Sequence, residues 1–294
     1  MRIVSLLPSA TEILFGIGAG EQVVGVTFEC DFPPEARTRR IVSTSALPEG
    51  LSPAEIDTAV AERLTAGEDL YRLDAGALAD LDADLVVTQD LCAVCAVDVS
   101  VVDDALDYLG CRAEVLTLDP QNLDEVLASV ETLGKTTGTE EVATGLVRSL
   151  RRRLDLVRAA LAGLEPVPVM VLEWTDPPFT PGHWVPDMVT AAGGVPVMGR
   201  SGQRSGRTTW HDVADAGPAV VVAAPCGFGL DESARLAHDV ADRVPAGVPL
   251  WAVDANASFA RPGPRLVDGI EALAAILHPD AGLPLEESLA RRVR

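Results

Sequence analysis

The sequence predicts an α/β protein made of two Rossmann-like lobes with parallel sheets, joined by a long helical spine. Three observations carry this reading. Short apolar runs rich in β-branched residues alternate with helical stretches from residue 2 to residue 118. The same alternation restarts after Pro166. Between the two, from Asn122 to Leu164, there is little but helical periodicity. The expected divisions are 1–120 for the N-terminal lobe, 121–165 for the spine, 166–280 for the C-terminal lobe and 281–294 for a tail.

The elements follow in order. Residues 2–7 read as a strand, and Ser9-x-x-Glu12 resembles a capping box opening a helix that ends near Gly16-Ile17-Gly18. The second strand is 23–28, followed by a loop with Glu29-Cys30-Asp31 and Pro33-Pro34. Ser52-x-x-Glu55 caps another helix, and Asp74 to Leu81 is a short one. A strand at 84–88, a helix from Ser100 to Leu109 and a strand at 113–118 complete the lobe.

The spine places apolar residues at Leu123, Val126, Leu127, Val130 and Leu133, then at Val142, Leu146, Leu150, Leu154, Val157 and Leu161. Gly134 and Gly138 interrupt it, which gives two closely joined segments or one kinked helix. In the second lobe, strand 167–172 leads into Glu173 to Pro178, and a helix at 186–192 ends at Gly193-Gly194. Strand 219–224 leads into Cys226-Gly227-Phe228-Gly229, and a helix spans 231–243. Strand 249–253 leads into Asp254 to Gly263, a final helix covers 264–277, and the tail from His278 reads as frayed.

Composition narrows the function. The chain of 294 residues is 48% hydrophobic but only 4% aromatic, which describes a globular protein. Its net charge is −21, so it repels phosphate backbones, and no nucleic-acid partner is expected. No stretch reaches the length of a membrane span, so no membrane insertion is expected. The residues from Met1 to Glu12 lack the basic and apolar regions of a secretory leader, so the expected compartment is the cytoplasm, where thiols stay reduced.

The cysteines carry the most specific signal. Cys92-x-x-Cys95 sits just past strand 84–88, Cys30 follows 23–28 and Cys226 follows 219–224. Four of the five cysteines thus lie at strand carboxyl ends, where ligands bind in open α/β sheets. Cys111 alone sits where a strand begins. Cys30, Cys92, Cys95 and Cys226 would suit zinc or an iron–sulfur cluster if the fold brings them together. Two readings compete: a redox-active Cys92/Cys95 pair, and small thiols that merely pack.

Other candidates share this edge. His183 is either an axial ligand to a cobalt or iron centre or a surface or capping histidine, whereas His211, His238 and His278 read as surface residues. The scarce aromatics Trp174, Trp184, Phe228 and Phe259 fall in or near loops after strands, where they would stack on a flat macrocycle or act as lids. Glu29, Asp31, Asp90, Asp176 and Asp254 add carboxylates, and Gln89 and Arg261 add polar contacts. No Walker-type loop, His-Glu-x-x-His or Gly-x-Ser-x-Gly occurs, and no catalytic residue is assigned.

Four segments carry a family resemblance: Ile3 to Glu12, Leu81-Asp82-Ala83-Asp84-Leu85-Val86, Leu133 to Gly138, and Arg261-Pro262-Gly263-Pro264-Arg265-Leu266-Val267-Asp268-Gly269. With them the chain resembles the class III, or helical-backbone, substrate-binding proteins, which bind cobalamin, iron-siderophores, heme or metal ions. The first and last segments are most similar to the cobalamin-binding branch. The resemblance implies a small-molecule or metal-containing ligand, a corrinoid before others, held in a cleft where the two lobes' strand ends face each other. One alternative is a cysteine-ligated metal or iron–sulfur protein with a redox or enzymatic role. The other is the substrate-binding component of an ABC transporter.

Overall fold

The computed structural model describes residues 1–89, 102, 106 and 113–294. They form two compact units: Met1–Asp119 with Leu127–Val147, and Pro120–Val126 with Arg148–Arg294.

The first unit is built on six strands: β1 (Ile3–Ser5), β2 (Val23–Thr27), β3 (Arg40–Ser45), β4 (Tyr71–Leu73), β5 (Leu85–Thr88) and β6 (Glu114–Thr117). Their order is β4-β3-β2-β1-β5-β6, all parallel except the edge pair β3–β4. From β1 the chain winds outward to β4, then returns to lay β5 and β6 on the other side. The topological switch point, where such sheets bind ligands, therefore falls between β1 and β5. Val4, Leu6, Val42 and Val86 pack with Leu78, Leu81, Val102 and Leu106 into one core. Of the helix expected from Ser100 to Leu109, only Val102 and Leu106 lie within the described residues; both are helical and buried.

The two expected capping boxes differ in outcome. At Ser52 the box forms: its backbone N–H donates to Glu55 Oε2 at 2.8 Å, while its hydroxyl accepts from the Glu55 N–H at 3.4 Å. At Ser9 it does not. The helix runs Pro8–Gly16 and its N-cap is Leu7, with Ser9 and Glu12 buried inside it. Pro8 supplies the start signal instead, because a first-turn residue needs no N–H donor.

The spine resolves into two helices, Leu123–Thr137 and Glu140–Ala160. Gly138, at φ 72°, ends the first, and the Thr139 N–H returns to the Gly134 carbonyl at 2.8 Å. A side chain on Gly134 would collide with Ala143 Cβ, so glycine there lets the second helix approach closely. In that helix Ala143, not Val142, takes the buried position; Val142 is 52% exposed. Its later half joins the second unit, where Arg153 pairs with Glu271 at 2.6 Å and with Asp268 at 2.5 Å.

The second unit repeats the architecture with β7 (Val167–Leu172), β10 (Gly194–Pro196), β12 (Val220–Ala223), β13 (Leu250–Val253) and β14 (Ala290–Arg292) in the order β10-β7-β12-β13-β14. All are parallel except β14. Residues Val169–Leu172 and Val221–Ala223 are fully buried, as central parallel strands covered on both faces must be. The switch point lies at β7, where the chain first goes to β10 and then crosses to β12. Beyond β7 stands a small antiparallel sheet, β11-β9-β8, made of β8 (Trp174–Thr175), β9 (Pro178–Thr180) and β11 (Gly206–Arg207).

The C-terminal tail is not frayed. Strand β14 pairs with β13, and Arg294 donates to the carbonyls of Ala241, Val244, Pro245 and Val248. His278 is buried, its Nε2 3.0 Å from the Gly193 carbonyl, which corrects its reading as a surface residue. Among the described residues, no helix is long and apolar enough to cross a membrane.

Candidate functional site

In the first unit, the carboxyl edge is held by buried hydroxyls. Ser5 ends β1 and donates to the Leu7 carbonyl at 3.1 Å, while Thr11 donates to Ser5 Oγ at 2.8 Å. Ser43 on β3 donates to Thr27 at the end of β2, at 2.7 Å. Thr88 and Gln89, after β5, are buried too. Buried polar groups persist only where they are hydrogen-bonded, so this layer fixes the loop entrances.

Above it stand Phe28 and Phe32, both exposed, in the loop after β2. The Phe28 ring lies 6.1 Å from that of Tyr71, and Tyr71 donates its phenol proton to Glu29 Oε2 at 2.9 Å. Glu29 was legible as a site residue; its partner was not. Because β4 is antiparallel to β3, Tyr71 opens its strand at the edge where the parallel strands end.

Cys30 is buried, with Sγ 3.0 Å from Thr11 Oγ1. Cys226, half-buried, belongs to the second unit. Asp90, Cys92, Cys95 and Cys111 lie outside the described residues. Among the described residues, no group of three or more His, Cys, Asp or Glu side chains could hold a metal ion. The Cys30 contact is that of a thiol packed in a hydroxyl pocket. Replacing Cys30→Ser should preserve it and change stability by no more than about 1 kcal/mol. Metal analysis of that variant checks the reading, since a lost ligand would lower metal content.

In the second unit, the loops after β7 and β12 meet. Glu173 accepts from the Gly182 N–H at 2.8 Å through its carboxylate and from the Cys226 N–H at 3.1 Å through its carbonyl. This brings the Trp174 and Phe228 rings to 5.7 Å. Asn256 supports the second loop by donating to the Gly227 carbonyl at 3.1 Å, and Asp254 caps the short helix Ala255–Ser258. Asp176, on the β8–β9 turn, faces Arg243 at 3.6 Å. Arg261 is half-buried in the loop before the last long helix.

Two expected stacking residues lie elsewhere. Phe259 is only 1% exposed and Trp184 is 6% exposed, and the Trp184 indole N–H donates to the Phe259 carbonyl at 2.8 Å. They brace the interior of the second unit and present no face to a ligand. Phe179, missed in the sequence, is half-buried on β9 directly opposite Trp174.

His183 adopts the left-handed conformation at φ 49°, with its N–H donating to the Gln203 carbonyl at 2.6 Å. Its Nε2 is buried with no hydrogen-bond partner among the described residues. Burial, and then the positive charge of Arg204, hold the imidazole below its ordinary value. The folded chain thus resists protonation more than the unfolded one. Stability from this group is full above the unfolded pKa, roughly 6.5, and falls as pH drops below it. Thermal melts across that window should show the decline, and His183→Asn, which tolerates the same backbone region, should flatten it.

Two α/β units, each with aromatic side chains at the carboxyl edge of its parallel sheet, and a pair of long helices between them in sequence define a ligand-binding protein of the helical-backbone class. The chain belongs to the periplasmic binding protein family, whose profile matches residues 3–247. An uncharacterized ABC transporter substrate-binding lipoprotein of Bacillus subtilis (strain 168) is 25% identical over 292 residues, covering 95% of this chain and 80% of that one. The structure of the periplasmic vitamin B12 binding protein of Vibrio cholerae superposes with a TM-score of 0.68 at 20% identity, covering 95% of this chain and 97% of that one. A periplasmic heme binding protein from Pseudomonas aeruginosa gives a TM-score of 0.71 at 20% identity, covering 98% and 96%.

Proposed function

We propose that the protein binds a planar metal macrocycle of the corrinoid or heme class, as the substrate-binding component of an ABC-type transport system. The observation that carries this is where its aromatic residues lie. They make up 4% of the chain, yet Phe28, Phe32, Tyr71, Trp174 and Phe228 stand at the carboxyl edges of the parallel sheets, and Phe179 pairs with Trp174 in the small sheet beside them. Flat rings there, exposed at Phe28 and Phe32 and half-buried at Trp174, Phe179 and Phe228, suit a flat ligand, which gains apolar burial and offset stacking. The named relatives, which include binders of vitamin B12 and of heme, support the same class.

The visible spectrum of the protein isolated from its native cells without oxygen, together with metal analysis, tests this reading. A corrinoid or heme spectrum would support it. Stoichiometric zinc, or iron with acid-labile sulfide, would favour the cysteine-centred alternative. Fractionation of the same cells separates a delivery role, which operates outside the cytoplasm, from the cytoplasmic expectation.

A further inference from the structure

We infer that Glu173 is a positioning residue, whose carboxylate sets the aromatic surface of the second unit for its ligand. The inference rests on the macrocycle reading above and adds what holds the rings in place to meet the macrocycle. Glu173 lies between β7 and β8, one residue before Trp174. In the small sheet Trp174 is the register partner of Phe179, and directly opposed residues of antiparallel strands share a face. The alternate pair, Thr175 and Pro178, is buried. Phe228 packs on Trp174 at 5.7 Å, so Phe228, Trp174 and Phe179 form one row.

The rings come from three stretches of chain, and Glu173 lies in the first and bonds to both others. Its N–H donates to the Phe179 carbonyl at 3.3 Å. Its carbonyl accepts from the N–H of Cys226, two residues before Phe228, at 3.1 Å. Its carboxylate accepts at 2.8 Å from the N–H of Gly182, two residues past the end of β9. The first two bonds belong to the backbone and would survive any side chain here. The third depends on the carboxylate, and it fixes the exit of β9.

Gly182 has little freedom to find another acceptor. It is buried, and a Cβ there would meet the backbone of Gln203, Arg204 and Ser205. The next residue is held as well. The His183 N–H donates to the Gln203 carbonyl at 2.6 Å, and its carbonyl accepts from the Gly202 N–H at 3.1 Å. A buried N–H without an acceptor is costly, so loss of the carboxylate drives this stretch to shift and carries β9 and Phe179 with it. The role needs an oxygen at the right reach more than it needs charge, since a neutral amide oxygen also accepts.

The test separates reach from charge. Glu173→Gln keeps an oxygen at the same distance and loses the charge, whereas Glu173→Asp keeps the charge and draws the carboxylate back by one methylene. Each is titrated with hydroxocobalamin and with heme. For whichever ligand the wild type prefers, Glu173→Gln should bind within about threefold of wild type, while Glu173→Asp and Glu173→Ala should bind about tenfold more weakly. In the Trp174→Ala background, Glu173→Ala should cost much less than it does alone, because the central ring it positions is gone. Thermal melts confirm that each variant is folded, and Glu173→Asp carries the comparison if the alanine variant is not. Equal losses for Gln and Asp, no loss for Asp, or an undiminished loss in the Trp174→Ala background would overturn the positioning role while leaving macrocycle binding intact. Failure of the folded wild-type protein to bind either ligand would overturn both.

Discussion

Replacing Trp174 with alanine should weaken macrocycle binding by roughly thirtyfold or more, the loss expected when a central aromatic anchor worth about 2 kcal/mol is truncated. Trp174 is the joint of the second unit's edge. It pairs with Phe228 across two loops and with Phe179 across two strands, so its removal breaks the row in the middle. The side chain is half-buried, so the fold should survive the change. Trp174→Phe, which keeps a ring there, should recover most of the affinity. Equilibrium titration of both variants, with thermal melts as a control, checks the expectation.

The second large effect is expected at Gly182. A methyl group there would run into the backbone of the neighbouring segment, at Ser205 N, at 2.7 Å from Arg204 C and at 2.8 Å from the Gln203 carbonyl oxygen. Backbone atoms cannot rotate aside as a side-chain tip can. Gly182→Ala should therefore cost about 1–3 kcal/mol of stability. It should also displace β11 from β9 and with it the ring of Phe179, so that macrocycle affinity falls. Denaturant unfolding measures the first effect and an equilibrium titration the second.

Much of the fold could be read from the chain because its central strands are largely apolar and rich in β-branched residues. Val167–Leu172, Val220–Ala223 and Leu85–Thr88 leave little doubt about a buried parallel sheet. The elements that escaped lie at edges. Strand β3 begins with the exposed residues Arg40 and Ile41, and β4 has three residues, so neither shows the pattern of a buried strand. Strand β14 draws its stability from pairing with β13 and from the Arg294 contacts, which a linear reading of an acidic-then-basic tail does not reveal.

The candidate site was legible to the extent that it sits on loops after strands. That rule proposes Trp174, Phe228 and Glu29, and it equally proposes Trp184 and Phe259, which turn inward. Position along the chain does not say which way a side chain points. Tyr71 and Phe179 were missed for the opposite reason: strand register brings them to the edge, and each comes from a strand too short to announce itself.

The most direct test of the macrocycle reading is a calorimetric titration of the intact, metal-free protein with hydroxocobalamin and, separately, with heme. Saturable one-to-one binding of at least one of them, with a negative heat-capacity change from apolar burial, is the predicted result. A folded protein that binds neither at concentrations on the order of 100 μM, an affinity weaker than roughly −5.5 kcal/mol, would contradict it.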